Sequence, residues 1–434
     1  MMRRNGLQSI AILEGLMAPL PHLGRRARSG ITLVAVAALA IAAPACGIGG
    51  GDDGSSDDSS EPITIGASLP LTGEFSQPGQ AAKEGYEVWQ EMINADGGLL
   101  GRDVELVIKD DASNQNTIVA DYNALISQDQ VDLLLGTFSS LLNLPASSVA
   151  ERNQMLYVEP AGGSPEMFTR GYQFLFFTQQ APVDRQGDVF AEWITSLPEG
   201  QRPTTAAYPT LDDPFAIPTS EGIEEILSAN GVETVYRETY AIDTKNFDTI
   251  ANEIKAADPD LVVNGAIFED GVGLIRAMLK ADFAPQWLYQ STAPSLGEQY
   301  ADAIGPQNTE GVMFAISHAP EAETPGNAEF VAKYEEMFGG LPPEDAADAF
   351  ASGQVLQAAV EGVGSIEDQA ALADWLRENE VETILGPLSW DETGAPEGEF
   401  LIGQWQEGQV EYVLPEEAAT SDHIVMGWKP GDAN

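Results

Sequence analysis

The sequence predicts an α/β protein of two domains, built on mostly parallel sheets with helices on both faces. Three observations predict this class. Short apolar runs alternate with helical stretches of about 10–15 residues along most of the chain, the pattern of βα units. Some of these runs are mainly apolar and end in Gly. Val131-Asp132-Leu133-Leu134-Leu135-Gly136 is one, broken only by Asp132, and such runs mark strands covered on both sides. The 434 residues also exceed what one core usually supports.

Each element follows from its local sequence. Residues 63–67 (Ile-Thr-Ile-Gly-Ala) read as a first strand, with 69–73 as its exit loop. A helix over 81–94 is closed by Gly97-Gly98. A strand over 104–108 leads to the polar loop Asp110-Asp111-Ala112-Ser113-Asn114. That loop lacks the Gly and distal Glu of a calcium loop and reads as a solvated turn. A helix over 117–128 precedes the stretch 131–165, which reads strand, small-residue loop, helix, strand, small-residue loop. In an open α/β sheet such loops gather at the carboxyl ends of the strands, where ligands bind. Pro145 suits the first turn of the helix here, whose free N–H groups favour an anion. This stretch is read as half of a site for a small molecule with a carboxylate-like end.

Strands are predicted at 173–178, 204–208, 233–240, 261–264, 286–290 and 311–316, with helices at 183–197, 221–230, 247–257 and 273–281 between them. Residues 326–379 are mainly helical, and 400–413 form a short β segment.

Charge and composition exclude several functions. The 68 acidic and 20 basic residues give a formal charge of −48, which repels nucleic acid and anionic membranes. The single Cys permits no internal disulfide, and three dispersed His make a zinc site improbable; no metal or cofactor is expected. No G-x-S-x-G, H-E-x-x-H or P-loop motif is present, so the chain is not read as an enzyme.

The first 45 residues read as a secretory signal: Arg25, Arg26 and Arg28, then an apolar run, then small residues. The signal ends Ala43-Pro44-Ala45-Cys46, which resembles a bacterial lipoprotein leader with Cys46 as the lipidated first residue, although Ala43 stands where Leu is usual. Ala43-Pro44-Ala45 is also a site for ordinary signal peptidase. Residues 46–61, mostly Gly, Asp and Ser, read as a flexible linker to an anchored body.

Several segments together resemble one family. They are Pro70-Leu71-Thr72-Gly73, Asn94-Ala95-Asp96-Gly97-Gly98-Leu99-Leu100-Gly101-Arg102, Asp110-Asp111, Gly136 to Ser147, Pro160 to Tyr172, and Gly386-Pro387-Leu388-Ser389-Trp390-Asp391. In this order they resemble the branched-chain amino-acid-binding proteins of ABC importers, from about residue 63 to 413. The resemblance implies the type I periplasmic binding fold: two α/β lobes joined by three hinge crossovers, with a ligand clamped between them. The expected crossovers are 178–181, 315–318 and 383–387. Lobe 1 would hold 62–179 and 318–384, lobe 2 would hold 180–317 and 385–415, and 416–434 would be a C-terminal tail.

The resemblance also assigns roles. Ser140 matches the Ser that holds the ligand carboxylate, and Ala161 matches a carbonyl that receives the ligand amine. Gly163 falls where many members have Thr or Ser; only its N–H can serve, and Ser164 is a substitute. Ser139 and Ser113 stand where some members pair two cysteines. Phe215 and Ile267 replace usual tyrosines. Ser291 or Thr292 replaces the acid that pairs with the ammonium, a charge that Asp213, Glu269 or Asp270 is expected to supply. Phe138, Phe215, Ile267 and Phe268 would form an apolar wall that suits a short amide, a carboxylate or a more apolar molecule, and the expected solute is an amino acid or a related amide or carboxylate. The implied protein is a monomeric, extracytoplasmic, lipid-anchored receptor that serves a membrane permease. The alternatives are a ligand sensor for a signalling partner and, more remotely, a secreted hydrolase.

Overall fold

A computed structural model describes residues 61–421 and 423–431. Cys46 and the predicted signal and linker lie outside these residues.

The first lobe is built by β1 (Ile63–Leu69), α1 (Ser76–Ala95), β2 (Val104–Asp110), α2 (Gln115–Ala124), β3 (Leu133–Leu135), α3 (Ser140–Asn153), β4 (Tyr157–Glu159), α4 (Pro165–Phe168) and β5 (Leu175–Phe177). Its five strands are parallel in the order β2-β1-β3-β4-β5. The second lobe adds α5 (Asp188–Ser196), β6 (Thr205–Leu211), α6 (Ala216–Ala229), β7 (Glu233–Tyr240), α7 (Asp248–Ala257), β8 (Leu261–Asn264), α8 (Glu269–Lys280), β9 (Trp287–Gln290), α9 (Glu298–Ile304) and β10 (Met313–Ile316). The chain then returns to the first lobe with α10 (Asn327–Phe338), α11 (Glu344–Val363), α12 (Gln369–Glu378) and the small hairpin β11 (Val381–Thr383) and β12 (Gly386–Leu388). The antiparallel pair β13 (Leu401–Gln406) and β14 (Gln409–Leu414) completes the second sheet, in the order β14-β13-β10-β9-β8-β6-β7.

Strand periodicity sorts each core into two layers. Leu133, Leu135, Val158 and Phe176 pack with α1 and α11, while Leu134, Tyr157, Leu175 and Phe177 face α2 and α3. In the second sheet Leu261, Val263, Trp287 and Tyr289 share one cluster with α5 and α6. Val262 and Leu288 face α7, α8 and α9. The period of two along each strand thus loads both faces with apolar side chains, which is why these runs show no polar alternation.

Helix α11 is held hard against α1. A Cβ on Gly85 would lie within 2.0 Å of the Ala346 carbonyl oxygen, so only glycine permits this approach. The N-terminal turn of α11 is therefore fixed to the first lobe.

Two expectations are corrected. Leu388 and Trp390 belong to the first-lobe core, where Trp390 meets the Phe176 ring edge-on and donates from Nε1 to the Phe177 carbonyl at 2.6 Å. The third passage between lobes therefore falls after Ala395, where Gly398 N–H donates to the Gln180 carbonyl, and not at 383–387. The described part of the expected C-terminal tail also packs onto the second lobe. Val425 and Trp428 are buried, and Trp428 donates from Nε1 to the Asn308 carbonyl of the second lobe.

Candidate ligand-binding cleft

The carboxyl ends of both sheets face a common cleft, the place where a solute meets backbone groups left unpaired by the strands. Phe138 and Ser139 follow β3, Ala161 follows β4, and Phe177 and Gln179 lie at and beyond the end of β5. Phe215, Ile267 and Thr292 follow β6, β8 and β9 from the opposite lobe. Val183 and Gln186 close one side, and Glu344, Asp345 and Asp348 of α11 close another. The free volume of the cleft is about 30 Å³, room for about one water.

The first-lobe loops are shaped by Asn143. Its amide donates to the Thr137 and Ser139 carbonyls, and its Oδ1 accepts from the Tyr157 hydroxyl at 2.6 Å. This bracing holds Ser139 at φ 70° and ψ 145°, a conformation that side-chain-bearing residues rarely adopt. Its Oγ is buried without a hydrogen-bond partner. Beneath Ala161, Glu159 is fully buried; its Oε2 accepts from the Ala161 N–H, and burial pushes its carboxyl up to about 8.

The predicted residues divide into two groups. Phe138, Ser139, Ala161, Phe215 and Ile267 come together on the cleft wall. Ser140, Gly163, Ser164, Asp213, Phe268 and Ser291 do not line it. Ser140 Oγ accepts from the Ser164 N–H at 3.1 Å, so the two serines brace each other. Gly163 accepts from the Val183 N–H, and a Cβ there would lie 2.5 Å from the Phe177 ring. Ser291 Oγ exchanges hydrogen bonds with both backbone groups of Ala266, leaving its neighbour Thr292 on the wall. Phe268 lines a separate crevice with Glu269 and Asp270.

The acids expected to meet an ammonium are engaged elsewhere. Asp213 Oδ1 accepts from the Phe215 N–H, and Asp270 accepts from the Tyr240 hydroxyl and the Ile267 N–H. Asp111, expected in a solvated turn, is fully buried and bonds the Ser113 N–H. The acids that do reach the cleft lie on α11, a segment read from sequence only as helical. Glu344 and Asp348 both approach Ser317, and Asp348 also accepts from Gln179 Nε2 at 2.6 Å. Burial, reinforced by the Glu344 charge, pushes Asp345 up to about 8 and Asp348 well above the usual carboxylate range. The α11 N-terminus favours negative charge by about 0.3–2 kcal/mol, which is too little to offset that burial. Among the described residues no group of three His, Cys, Asp or Glu side chains is arranged to hold a metal ion.

Other contacts join the lobes. Gln180 Nε2 donates to the Ser317 carbonyl at 2.7 Å, beside the second passage. At the outer rim Lys245 pairs with Glu74. A larger cavity of about 470 Å³ lies beyond Glu344, between α1, α10 and the β13–β14 hairpin.

Two lobes of this topology, joined by three passages and facing each other across a polar-rimmed cleft, define a bilobal solute-binding protein. The chain belongs to the periplasmic binding protein family, whose model matches residues 62–409. It is a binding protein and not an enzyme. It is 27% identical to an amino acid binding protein of Pseudomonas aeruginosa, over 81% of this chain and 92% of that one. It is 26% identical to the Leu/Ile/Val-binding protein of Escherichia coli K12, over 80% and 91%. Among solved structures it is similar to a leucine binding protein, LivK, of Thermotoga maritima. The TM-score is 0.71 at 20% identity, covering 81% of this chain and 97% of that one. It is also similar to a solute binding protein of R. palustris in complex with benzoate, with TM-score 0.73, 19% identity and coverage of 84% and 99%. These two likenesses concern the fold.

Proposed function

We propose that this chain is the extracytoplasmic receptor of an ABC importer. It is lipid-anchored through Cys46, captures an amino acid or a closely related small solute in the central cleft, and presents it to a membrane permease. The observation that carries this reading is the convergence of six strand ends from two lobes on one cleft, with Ser139, Ala161, Gln179, Phe215, Ile267 and Thr292 at or beyond them. The start of α3 beside Ser139 offers N–H groups to a carboxylate, and the Ala161 carbonyl offers an acceptor to an amine. Phe138, Phe177 and Phe215 supply an apolar sleeve. Relatives named as amino acid and Leu/Ile/Val-binding proteins support a solute of this kind. Specificity then comes from contacts completed as the lobes close about their hinge.

A thermal-shift and calorimetric screen of the purified protein against amino acids, amides and short carboxylates tests this. A bound solute at about a hundred times its dissociation constant should add about 2.7 kcal/mol of stability. Silence across every solute class removes the receptor function. Mass spectrometry of the mature N-terminus tests the anchor, which an unmodified Cys46 would remove.

A further inference from the structure

The cleft holds an excess of hydrogen-bond acceptors. Asp345 Oδ2, Gln186 Oε1 and Ser139 Oγ all line it or lie at its edge, and all are buried without a partner. Their residues are 6%, 6% and 3% exposed. Gln186 Oε1 can only accept, and so can Asp345 Oδ2 once its carboxyl gives up its proton; a carboxylate oxygen, an amide oxygen and a hydroxyl around one space call for N–H donors. Charge points the same way. Glu344, Asp345 and Asp348 reach the cleft, and no Lys, Arg or His lines it. The donors already present, Ser317 and Gln179, serve Glu344 and Asp348 and leave Asp345 Oδ2 unmet. The three acids are not placed to chelate a metal ion.

We infer that the solute is a net cation, an amine or guanidine whose N–H groups are received by Asp345, Gln186 and Ser139. This rests on the receptor function proposed above and narrows its solute class. Burial keeps Asp345 protonated up to about pH 8 in the ligand-free protein, and an ammonium or guanidinium placed against it favours loss of that proton and donates charge-assisted hydrogen bonds to the carboxylate. An anion finds no cationic side chain there to pair with. A neutral aliphatic amino acid brings one positive centre together with a carboxylate of its own, so it leaves the acid cluster in excess. The tight fixing of the α11 N-terminus to α1 through Gly85 keeps the acids from swinging away to solvent.

The test is isothermal titration calorimetry and thermal shift on the full folded chain. The solutes are L-arginine, L-lysine, agmatine, putrescine, L-citrulline, L-leucine and benzoate. Citrulline is the neutral isostere of arginine. The expected result is binding of at least one cation tenfold or more tighter than citrulline, leucine or benzoate. Arginine or lysine above agmatine and putrescine identifies a basic amino acid; the reverse order identifies a plain amine. Asp345→Asn should weaken the preferred cation tenfold or more while leaving the ligand-free melting temperature unchanged or raised. Should Asp345→Asn fail to fold, Gln186→Leu supplies the same comparison with an expected loss of threefold or more. Leucine, citrulline or benzoate binding as tightly as the best cation overturns the inference and leaves the receptor function standing. So does unchanged cation affinity in Asp345→Asn. No response to any of the seven solutes, or to the wider amino-acid screen, overturns both.

Discussion

Ser317 Oγ lies 2.5 Å from Asp348 Oδ1 and 2.9 Å from Glu344 Oε1. One hydroxyl proton faces two carboxylate oxygens, so it can donate to only one of them at a time. Because the Ser317 N–H already serves Glu344 at 2.6 Å, the hydroxyl belongs to Asp348. Ser317 follows β10 of the second lobe, and Asp348 sits on α11 of the first. The contact therefore ties a hinge residue to the acid cluster.

Ser317→Ala should leave Asp348 without its hydroxyl donor. Loss of a buried donor to a carboxylate costs about 1–3 kcal/mol. Urea unfolding should show that loss, and an unchanged midpoint would mean that Gln179 alone satisfies Asp348.

Stability of the ligand-free protein should fall as pH rises from about 4 to about 8. Burial raises Asp345 and Glu159 to about 8, Asp111 to about 7 and Asp213 to about 6. In that window the folded state holds protons that the unfolded state has released. The stabilisation is complete below the ordinary carboxylate range and lost on passing through the raised values. Each such group contributes a slope of about 1.4 kcal/mol per pH unit while only the unfolded chain is ionised. Denaturation midpoints across pH 4 to 9 check this, and Asp345→Asn should flatten the curve. A rising or level profile contradicts it.

Ser139→Gly should raise stability by about 1 kcal/mol, since glycine adopts positive φ without strain. The same change removes an unpartnered hydroxyl from the cleft wall, so affinity for the solute should drop about tenfold. Melting and calorimetry on one sample separate the two effects. A stabilised variant with full affinity would take the hydroxyl out of recognition.

Gly163→Ala should destabilise the fold by about 1–3 kcal/mol, because its Cβ drives into Phe177 and Val183. Adding Phe177→Leu should recover part of that loss. A silent Gly163→Ala would mean that the β4 and β5 loops yield more easily than their packing suggests.

The fold was largely legible because parallel strands buried on both faces leave uninterrupted apolar runs, as in Leu133-Leu134-Leu135 and Leu261-Val262-Val263. Ser139, Ala161 and Ile267 were legible as wall residues because they directly follow such runs. The acid cluster was not. Glu344 and Asp345 resemble ordinary first-turn acids of an exposed helix, in a chain with 68 acidic residues. The one signal was Asp348, a lone charge four residues after Glu344 and four before Ser352, inside the otherwise apolar run 346–351. Burial on both sides of that turn comes from α1 and the second lobe, which lie far off in sequence. The misplaced third passage has a similar cause: Trp390 looks like the start of a second-lobe strand until Phe176 claims it.

Lys245 of the second lobe and Glu74 of the first meet at a crevice lined by Phe75, Ile267 and Phe268. A swing about the hinge would part this pair like the tips of a pair of callipers. Since Cys46 is the chain's one thiol, its replacement by Ser would leave a cysteine-free background. Paired spin labels at positions 74 and 245 would then act as a ruler for jaw opening in solution.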